Sequence, residues 1–174
     1  MMVCSRKPNK DINDQPSAEP CYGDSRLHCG PCLRCYVASK RMAMFSHIML
    51  GTNNLSESIR FYDQVMPILG YSRESTGEAF AGYGSKEDIS TGINCLWIGT
   101  PFNGEPATVG NGMMVAIEVG SPEEVDAVYK KAIELGGTCE GAPGGRGMEG
   151  FYAGYFRDLD GNKLNAFHFA MPSA

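Results

Sequence analysis

The segment RDLDGNKLNAFHF, residues 157–169, predicts a β-hairpin that could carry functional side chains. Asp-Gly is a strong turn signal, and a three-residue loop with Gly161 in a left-handed conformation fixes the register of the two strands. That register pairs Tyr155 with Asn165 and directs both side chains to one face of the sheet. A phenol and an amide placed together can bind a ligand through hydrogen bonds. The alternative for Tyr155 is a surface cross-strand pair without a functional role.

Another group of reactive side chains lies near the amino terminus, in the sequence HCGPCLRC at residues 28–35. Its cysteines have overlapping Cys-x-x-Cys spacings, and the histidine or Cys21 could complete a tetrahedral zinc site. No second knuckle accompanies them. The preceding residues 5–26 are polar and Pro-rich, which favours disorder. We therefore predict that residues 1–43 form a disordered, cysteine-containing tail, with a zinc or redox module as the alternative.

Charge divides the chain at the same place. Residues 1–43 contain seven Lys and Arg against four Asp and Glu, whereas residues 44–174 contain eight against sixteen. An acidic domain argues against a broad nucleic-acid surface, which requires basic side chains to neutralise phosphates. The sequence has no apolar run long enough for a membrane span and begins with no apolar signal segment. We expect a cytoplasmic protein with a small-molecule ligand.

The elements that would position the hairpin form a pattern that occurs twice. A strand at 45–52 precedes an amphipathic helix at 56–70 and three strands in YSRES, EAFAGYG and GINCLWIG. A second strand at 113–119 precedes a helix at 121–137, opened by a Ser-Pro-Glu-Glu capping sequence, and three further strands around TCEG, FYAGYFR and KLNAF. The pattern predicts an α+β fold of two tandem βαβββ modules.

Four segments carry a family resemblance, in this order along the chain: FSHIMLGTNNLSESIRFYDQVMPILGY, LWIGTP, GNGMMVAIEV and YAGYFRDLDGNKLNAF. They resemble the glyoxalase/bleomycin-resistance/dioxygenase family, also called the vicinal oxygen chelate superfamily. The resemblance implies that residues 44–174 form a glyoxalase-like domain. It also implies that the paired modules form a cupped mixed sheet around a cavity, and that two chains associate as a homodimer.

The resemblance further implies a divalent metal held by four inward-pointing side chains. The corresponding positions here are His47, the Leu96 and Trp97 region, Met114 and Asn165. Only His47 is a typical metal ligand, because the other positions offer no carboxylate or second imidazole. We therefore predict no metal cofactor, with a divalent ion bound weakly at His47 as the alternative, and we do not expect a four-ligand lactoylglutathione lyase.

The predicted pocket combines positions that the resemblance implies with Tyr155, which the hairpin register adds, and Arg146, which the glycine-rich loop adds. His47 and Tyr155 are the predicted catalytic pair, with His47 transferring protons and Tyr155 holding an oxyanion together with Asn165. The predicted substrate-binding residues are Trp97, Met114, Asn165, Phe167 and Arg146. We place Arg146 on a mobile glycine-rich flap at 141–150. In the alternative interpretation His47 is a core residue and Arg146 is a solvated loop charge.

Two functions remain open at this point. The first is a lyase or isomerase of this superfamily that acts on a small carbonyl or hydroxy compound with altered or absent metal dependence. The second is a metal-free binding protein that sequesters an aromatic small molecule or antibiotic, as bleomycin-resistance-type members do. Family resemblance alone cannot choose between an enzyme and a binding protein, because one fold serves many functions.

Overall fold

The computed structural model of the chain describes residues 45–170, and these contain the two predicted βαβββ units. The first unit consists of β1 (His47–Gly51), α1 (Leu55–Val65), β2 (Ser72–Thr76), β3 (Phe80–Gly84), α2 (Lys86–Thr91) and β4 (Cys95–Gly99). The second consists of β5 (Val115–Glu118), α3 (Pro122–Glu134), β6 (Thr138–Gly145), β7 (Phe151–Arg157) and β8 (Lys163–Phe169). The predictions for residues 1–43 lie outside the described residues.

Each unit forms a four-stranded mixed sheet of the same topology. The strand orders are β1-β4-β3-β2 and β5-β8-β7-β6. In each sheet the first strand pairs in parallel with the last strand of the unit, and the remaining pairs are antiparallel. The expected α+β fold of tandem modules is confirmed.

One hydrophobic core joins the two units on the helix side of both sheets. The helices α1 and α3 contact each other, and each buries an apolar stripe against its own sheet. The stripe of α1 includes Phe61 and Val65, and that of α3 includes Val125 and Val128. The opposite face of each sheet is covered by neither α1 nor α3, and we name it the open face; in the first sheet the short helix α2 contacts β2 and β3.

The helix boundaries follow from local sequence signals. Asn54 caps α1 by accepting a hydrogen bond from the Glu57 N–H, and Ser121 caps α3 in the same way. The predicted reciprocal bond of the α3 capping box differs in detail, because the Glu124 carboxylate accepts from the Gly120 N–H rather than from the cap residue. The first helix is also shorter than predicted: residues 66–69 continue it as a 3₁₀ turn that contains Pro67.

The short helix α2 was not predicted. It separates β3 from β4, where the sequence analysis placed only strands. Its signal is local: Ser85 and Asp88 form a complete capping box, and Gly92 ends the helix in a left-handed conformation. Among residues 45–170, no helix is both long and apolar enough to cross a bilayer.

The hairpin of β7 and β8 matches the predicted register. Gly161 has a φ of 88°, and the Asp158 N–H donates to the Asn162 carbonyl at 3.0 Å, which closes the three-residue loop. Tyr155 consequently pairs with Asn165. The predicted flap at 141–150 is wrong in extent, because its first five residues belong to β6 and pair with β7.

Candidate functional site

Alternation along β8 divides its side chains between the core and the open face. Leu164 and Ala166 are buried in the core beneath α3, so Lys163, Asn165 and Phe167 point to the open face. The antiparallel partners in β7 share that direction. The open face of the second sheet therefore carries successive rows of side chains, each contributed by neighbouring strands.

The central row contains Asn165, flanked by Tyr155 on β7 and Ala116 on β5. Asn165 is only 2% exposed, yet its Oδ1 atom has no hydrogen-bond partner within residues 45–170. A buried polar atom left without a partner costs about 1–3 kcal/mol of stability. Asn165 is thus an unpaired acceptor on the open face, next to a phenol.

Arg146 lies over this row from the connection between β6 and β7. Its guanidinium donates to the Ala153 carbonyl at 2.9 Å and also to the Ala142 carbonyl. The guanidinium carbon lies 5.0 Å from the centroid of the Tyr155 ring, within the range of a cation–π contact. Arg146 therefore contacts Tyr155, as a pocket residue would, although it belongs to a short connection rather than to a long flap.

A second cation, Lys163, approaches the same ring, with Nζ 5.8 Å from the Tyr155 centroid. Lys163 and Arg157 both pair with Glu140, at 3.2 and 2.7 Å. The hydrogen bond from Arg157, followed by that from Lys163, lowers the pKa of the Glu140 carboxyl, so this group is ionised at neutral pH. Arg146, by contrast, forms no ion pair with any carboxylate in the described part of the chain.

The next row of the same face is aromatic. Phe167 pairs with Ala153 on one side and Glu118 on the other. The ring of Phe151 lies 5.5 Å from that of Phe167, centroid to centroid. Beyond Asn165 and Tyr155 the open face is therefore lined by apolar rings, and an aromatic ligand could pack on them.

The open face of the first sheet is also apolar and aromatic. Met49 pairs with Trp97 across β1 and β4, and the Trp97 ring meets that of Phe80 edge-on at 5.5 Å. Gly82 makes room for this ring, since a Cβ atom there would approach the indole to 2.7 Å. His47 lies on the same exposed face, and its Nδ1 is 2.9 Å from the Ser46 Oγ.

A cavity lies at the junction of the two units. Met49 and Gly51 of the first unit line it together with Met114 and Lys163 of the second, around a volume of about 120 Å³. A larger cavity of about 730 Å³ shares Met114 and Lys163 and extends to Arg157. Residues from both units therefore line these cavities, and Lys163 is the residue that they share with the surroundings of the Tyr155 ring.

The predicted site residues fall into three places. Tyr155, Asn165 and Arg146 come together, with Phe167 in the adjoining row. His47 and Trp97 lie on the other sheet, and Met114 lines the junction cavities. Within residues 45–170 no hydrogen bond joins His47 to Tyr155 or Asn165. The geometry thus brings Tyr155, Asn165, Arg146 and Phe167 together and separates them from His47, Trp97 and Met114.

Sequence reasoning missed four residues that contact the predicted site residues or line the cavities: Lys163, Glu140, Met49 and Phe80. Two of them had a usable signal. Lys163 is two positions from Asn165, and Met49 is two positions from His47, so the period of a strand places each on the same face as its neighbour. Glu140 and Phe80 depend on strand register that the sequence does not specify.

The divalent ion that the resemblance implies does not fit the side chains at the four ligand positions. These positions present an imidazole, an indole, a thioether and a neutral amide, from His47, Trp97, Met114 and Asn165. Hard divalent ions favour carboxylate and imidazole ligands. Within the described residues, no three His, Cys, Asp or Glu side chains lie close enough together to share an ion.

Comparison with known proteins agrees with this fold. Residues 44–166 match the profile of the Glyoxalase/Bleomycin resistance protein/Dioxygenase superfamily. The structure of a glyoxalase/bleomycin resistance protein from Albidiferax ferrireducens T118 is 40% identical, and the match covers 74% of this chain and all of that one with a TM-score of 0.66. No curated protein matches the chain significantly.

More distant structures share the fold alone. A glyoxalase-related enzyme from Fulvimarina pelagi is 22% identical, with a TM-score of 0.58 over 73% of this chain and 88% of that chain. A glyoxalase/bleomycin resistance protein/dioxygenase family enzyme from Burkholderia phytofirmans PsJN is 18% identical, with a TM-score of 0.56 over 72% of this chain and 98% of that one. From the family profile and the 40% identical structure, we conclude that the chain belongs to the Glyoxalase/Bleomycin resistance protein/Dioxygenase superfamily.

Proposed function

We propose that this protein binds a small organic molecule on the open face beside Asn165, through hydrogen bonds and charge rather than through a four-ligand metal centre. The observation that carries the proposal is the buried Oδ1 atom of Asn165, which has no partner among residues 45–170. Membership of a superfamily whose members bind small molecules agrees with it. Tyr155, Arg146 and Phe167 would supply the surrounding contacts.

The physical argument concerns the free energy of the protein without its ligand. Burying an amide oxygen without a donor destabilises the fold, and an apolar residue of similar size would avoid that penalty. A ligand hydroxyl or N–H that donates to Oδ1 would recover the lost hydrogen bond. Such an arrangement sacrifices some stability of the free protein and is typical of a binding site.

Replacing Asn165 by leucine tests the proposal without requiring the ligand. We expect Asn165→Leu to leave the free energy of unfolding of the ligand-free protein unchanged or to raise it by about 1 kcal/mol, because the unpaired amide is removed. Urea unfolding followed by circular dichroism measures this. In a ligand screen by thermal shift, compounds that stabilise the wild type should no longer stabilise this variant.

Asn162→Leu is the matched control. The Asn162 amide nitrogen donates to the Gly51 carbonyl and to the Asp158 carboxylate, both at 2.9 Å, so its loss should cost about 1–3 kcal/mol. A loss of stability in Asn165→Leu as large as in Asn162→Leu would contradict the proposal. It would show that the Asn165 amide supports the fold rather than a ligand.

A second candidate function is a lyase or isomerase acting on a small carbonyl or hydroxy compound. It is favoured by the position of His47 on the open face of β1, where the Ser46 hydroxyl at 2.9 Å can orient the imidazole ring. Turnover of a hemithioacetal, measured before and after chelation of metals, tests it. Turnover that His47→Gln abolishes would identify an enzyme, whereas ligand binding without turnover would leave a binding protein.

We also propose that two copies of the chain pair through these open faces. Met49 is 50% exposed and Phe80 is 38% exposed, next to the partly exposed Trp97. A contiguous apolar sheet face of this kind favours association. A second chain would then cover part of the binding region.

A further inference from the structure

We propose that the ligand is an organic anion that also carries a hydroxyl or N–H donor, with Arg146 binding the anionic group and Asn165 accepting the donor. This inference rests on the proposed function and narrows it to one chemical class. It depends on two features that lie side by side, a buried acceptor without a donor and a cation without a carboxylate partner.

The acceptor restricts the neutral part of the ligand. Asn165 Oδ1 can only accept a hydrogen bond, so a bare carbonyl, ether or carboxylate would be repelled at that atom. A hydroxyl or N–H pointing to Oδ1 would satisfy it. Because Asn165 is almost fully buried, a ligand atom that faces Oδ1 could not hydrogen-bond to water instead.

The charges around the row restrict the rest of the ligand. The negative charge of Glu140 neutralises one of the two positive charges that Lys163 and Arg157 carry. Asp160 also borders the larger cavity, but its carboxylate accepts from the Asn53 N–H at 2.8 Å and from the Ser58 hydroxyl at 2.9 Å. Glu118 lies on the same face beside Phe167, so three cations and three carboxylates border these rows. Among the three cations, Arg146 is the one that pairs with no carboxylate of the described residues.

Arg146 is therefore the cation best placed to bind an anionic group of the ligand. Its guanidinium lies over Tyr155, in the same row as Asn165, whereas the rows on either side are displaced by about 7 Å along the strands. A carboxylate at Arg146 and a donor at Asn165 thus fit within one small molecule. The adjoining ring of Phe167 can support an aromatic body between or beside these groups.

The alternative is that Arg146 only secures the connection between β6 and β7. Its bonds to the Ala142 and Ala153 carbonyls would be sufficient for that role. The two interpretations differ in one measurable respect. A structural arginine affects stability but not the preference for an anion, whereas a binding arginine sets the affinity for the ligand's charge.

The test uses the full chain and a matched set of probes. The three hydroxybenzoate isomers carry both groups at different separations, benzoate carries the anion alone, phenol carries the donor alone, and the methoxybenzoates block the donor. Calorimetry gives the dissociation constants. We expect at least one hydroxybenzoate to bind about tenfold or more tighter than benzoate, phenol and its methoxy analogue.

Two variants show which side chain binds the anionic group of the ligand and which accepts from its donor. The Arg146→Gln variant should bind that hydroxybenzoate no more tightly than it binds phenol. The Asn165→Leu variant should bind it no more tightly than it binds benzoate. Arg60→Gln removes the same charge from an exposed site on α1, where the side chain is 70% exposed, and should leave every dissociation constant within about twofold of the wild type.

The inference fails if no isomer binds saturably, if none binds more tightly than benzoate and phenol, or if Arg146→Gln acts no differently from Arg60→Gln. Those results would not by themselves reject ligand binding at Asn165. Phenol binding that Asn165→Leu abolishes would still support the proposed function. A stability loss common to Asn165→Leu and Asn162→Leu would reject the proposed function itself.

Discussion

Buried polar side chains of the described residues differ in whether they have partners. Thr52 and Ser58 bond each other through their hydroxyls at 2.7 Å, and the Tyr62 hydroxyl donates to the Asp158 carboxylate, also at 2.7 Å. Asn165 is the buried side chain with an unpaired oxygen among residues 45–170. The paired groups hold the fold together, so the exception is where a ligand is expected to act.

The Tyr62–Asp158 pair gives a prediction that depends on pH. Burial, the largest cause, raises the pKa of Asp158, and the hydrogen bonds from Asn162 and Tyr62 oppose that rise. The folded protein therefore holds this proton more tightly than the unfolded chain does. The stabilisation gained from protonating Asp158 is complete at acid pH and is lost as pH rises through the raised pKa.

Tyr62→Phe should consequently destabilise the protein more at neutral pH than at mildly acid pH. At neutral pH it removes the donor to a buried carboxylate, at a cost of about 1.5–3 kcal/mol. After protonation the carboxyl group is a weaker acceptor and the cost falls. Urea unfolding of the wild type and the variant at both pH values measures the difference.

Tyr83→Phe is the control for this experiment. The Tyr83 hydroxyl donates to Asp63 at 3.0 Å, but the Asp63 carboxylate is about one third exposed and is also bound by Arg73. Its effect should be smaller than that of Tyr62→Phe and should show the weaker dependence on pH. Equal effects at both pH values for Tyr62→Phe would show that Asp158 does not change its charge in this range.

At the scale of elements, the hairpin of β7 and β8 depends on one glycine. Gly161 has a positive φ of 88°, and a Cβ atom there would approach the Val109 Cγ1 to 2.9 Å. We expect Gly161→Ala to lower the free energy of unfolding by about 1–2 kcal/mol through the left-handed conformation alone. Gly144→Ala in β6 is the comparison, since a Cβ atom there meets no atom within 4 Å.

Thermal unfolding of both variants distinguishes the two glycines. Gly161→Ala should melt several degrees lower than the wild type, and Gly144→Ala should melt close to it. A wild-type melting temperature for Gly161→Ala would mean that the loop relaxes at no cost. The position of Asn165 would then be less firmly set by the turn than the register suggests.

Elements with a local signal could be predicted from the sequence, and elements that depend on distant contacts could not. The turn residues were sufficient to place Tyr155 opposite Asn165. The extent of β6 was not predictable in the same way, because a glycine-rich strand has little propensity of its own and forms by pairing with β7. The burial of Asn165 likewise depends on neighbours from other strands, including Ala116 and Tyr155. The omission of α2 was avoidable, since its capping box is local.

At the scale of the whole molecule, the exposed apolar face of the first sheet predicts a homodimer. Light scattering after size exclusion should give twice the chain mass for the wild type. Met49→Asp should shift the protein to a monomer, because a charge would be buried without a partner in the interface. Phe102→Asp, a change at a fully exposed phenylalanine in the loop after β4, should leave the dimer intact.

A monomeric wild type would contradict this prediction, as would a Met49→Asp variant that remains dimeric.

The predicted cytoplasmic location and the predicted tail at residues 1–43 remain predictions. Membership of the superfamily, by contrast, could be inferred from sequence alone, because its carrying segments are spread over almost the whole domain.

The turn of the β7–β8 hairpin also connects the two units of the repeat. Within it, Asp158, Asp160 and Asn162 bond to Tyr62, to Asn53 and Ser58, and to Gly51, over sequence separations of 96 to 111 residues. The first unit has α2 in the corresponding connection and so offers no equivalent turn. The internal symmetry is therefore broken where the units join. Each of these hydrogen bonds needs a residue from both units, so neither unit alone can form them. We expect these bonds to form only after a long loop has closed, because the residues that they join are far apart in the sequence.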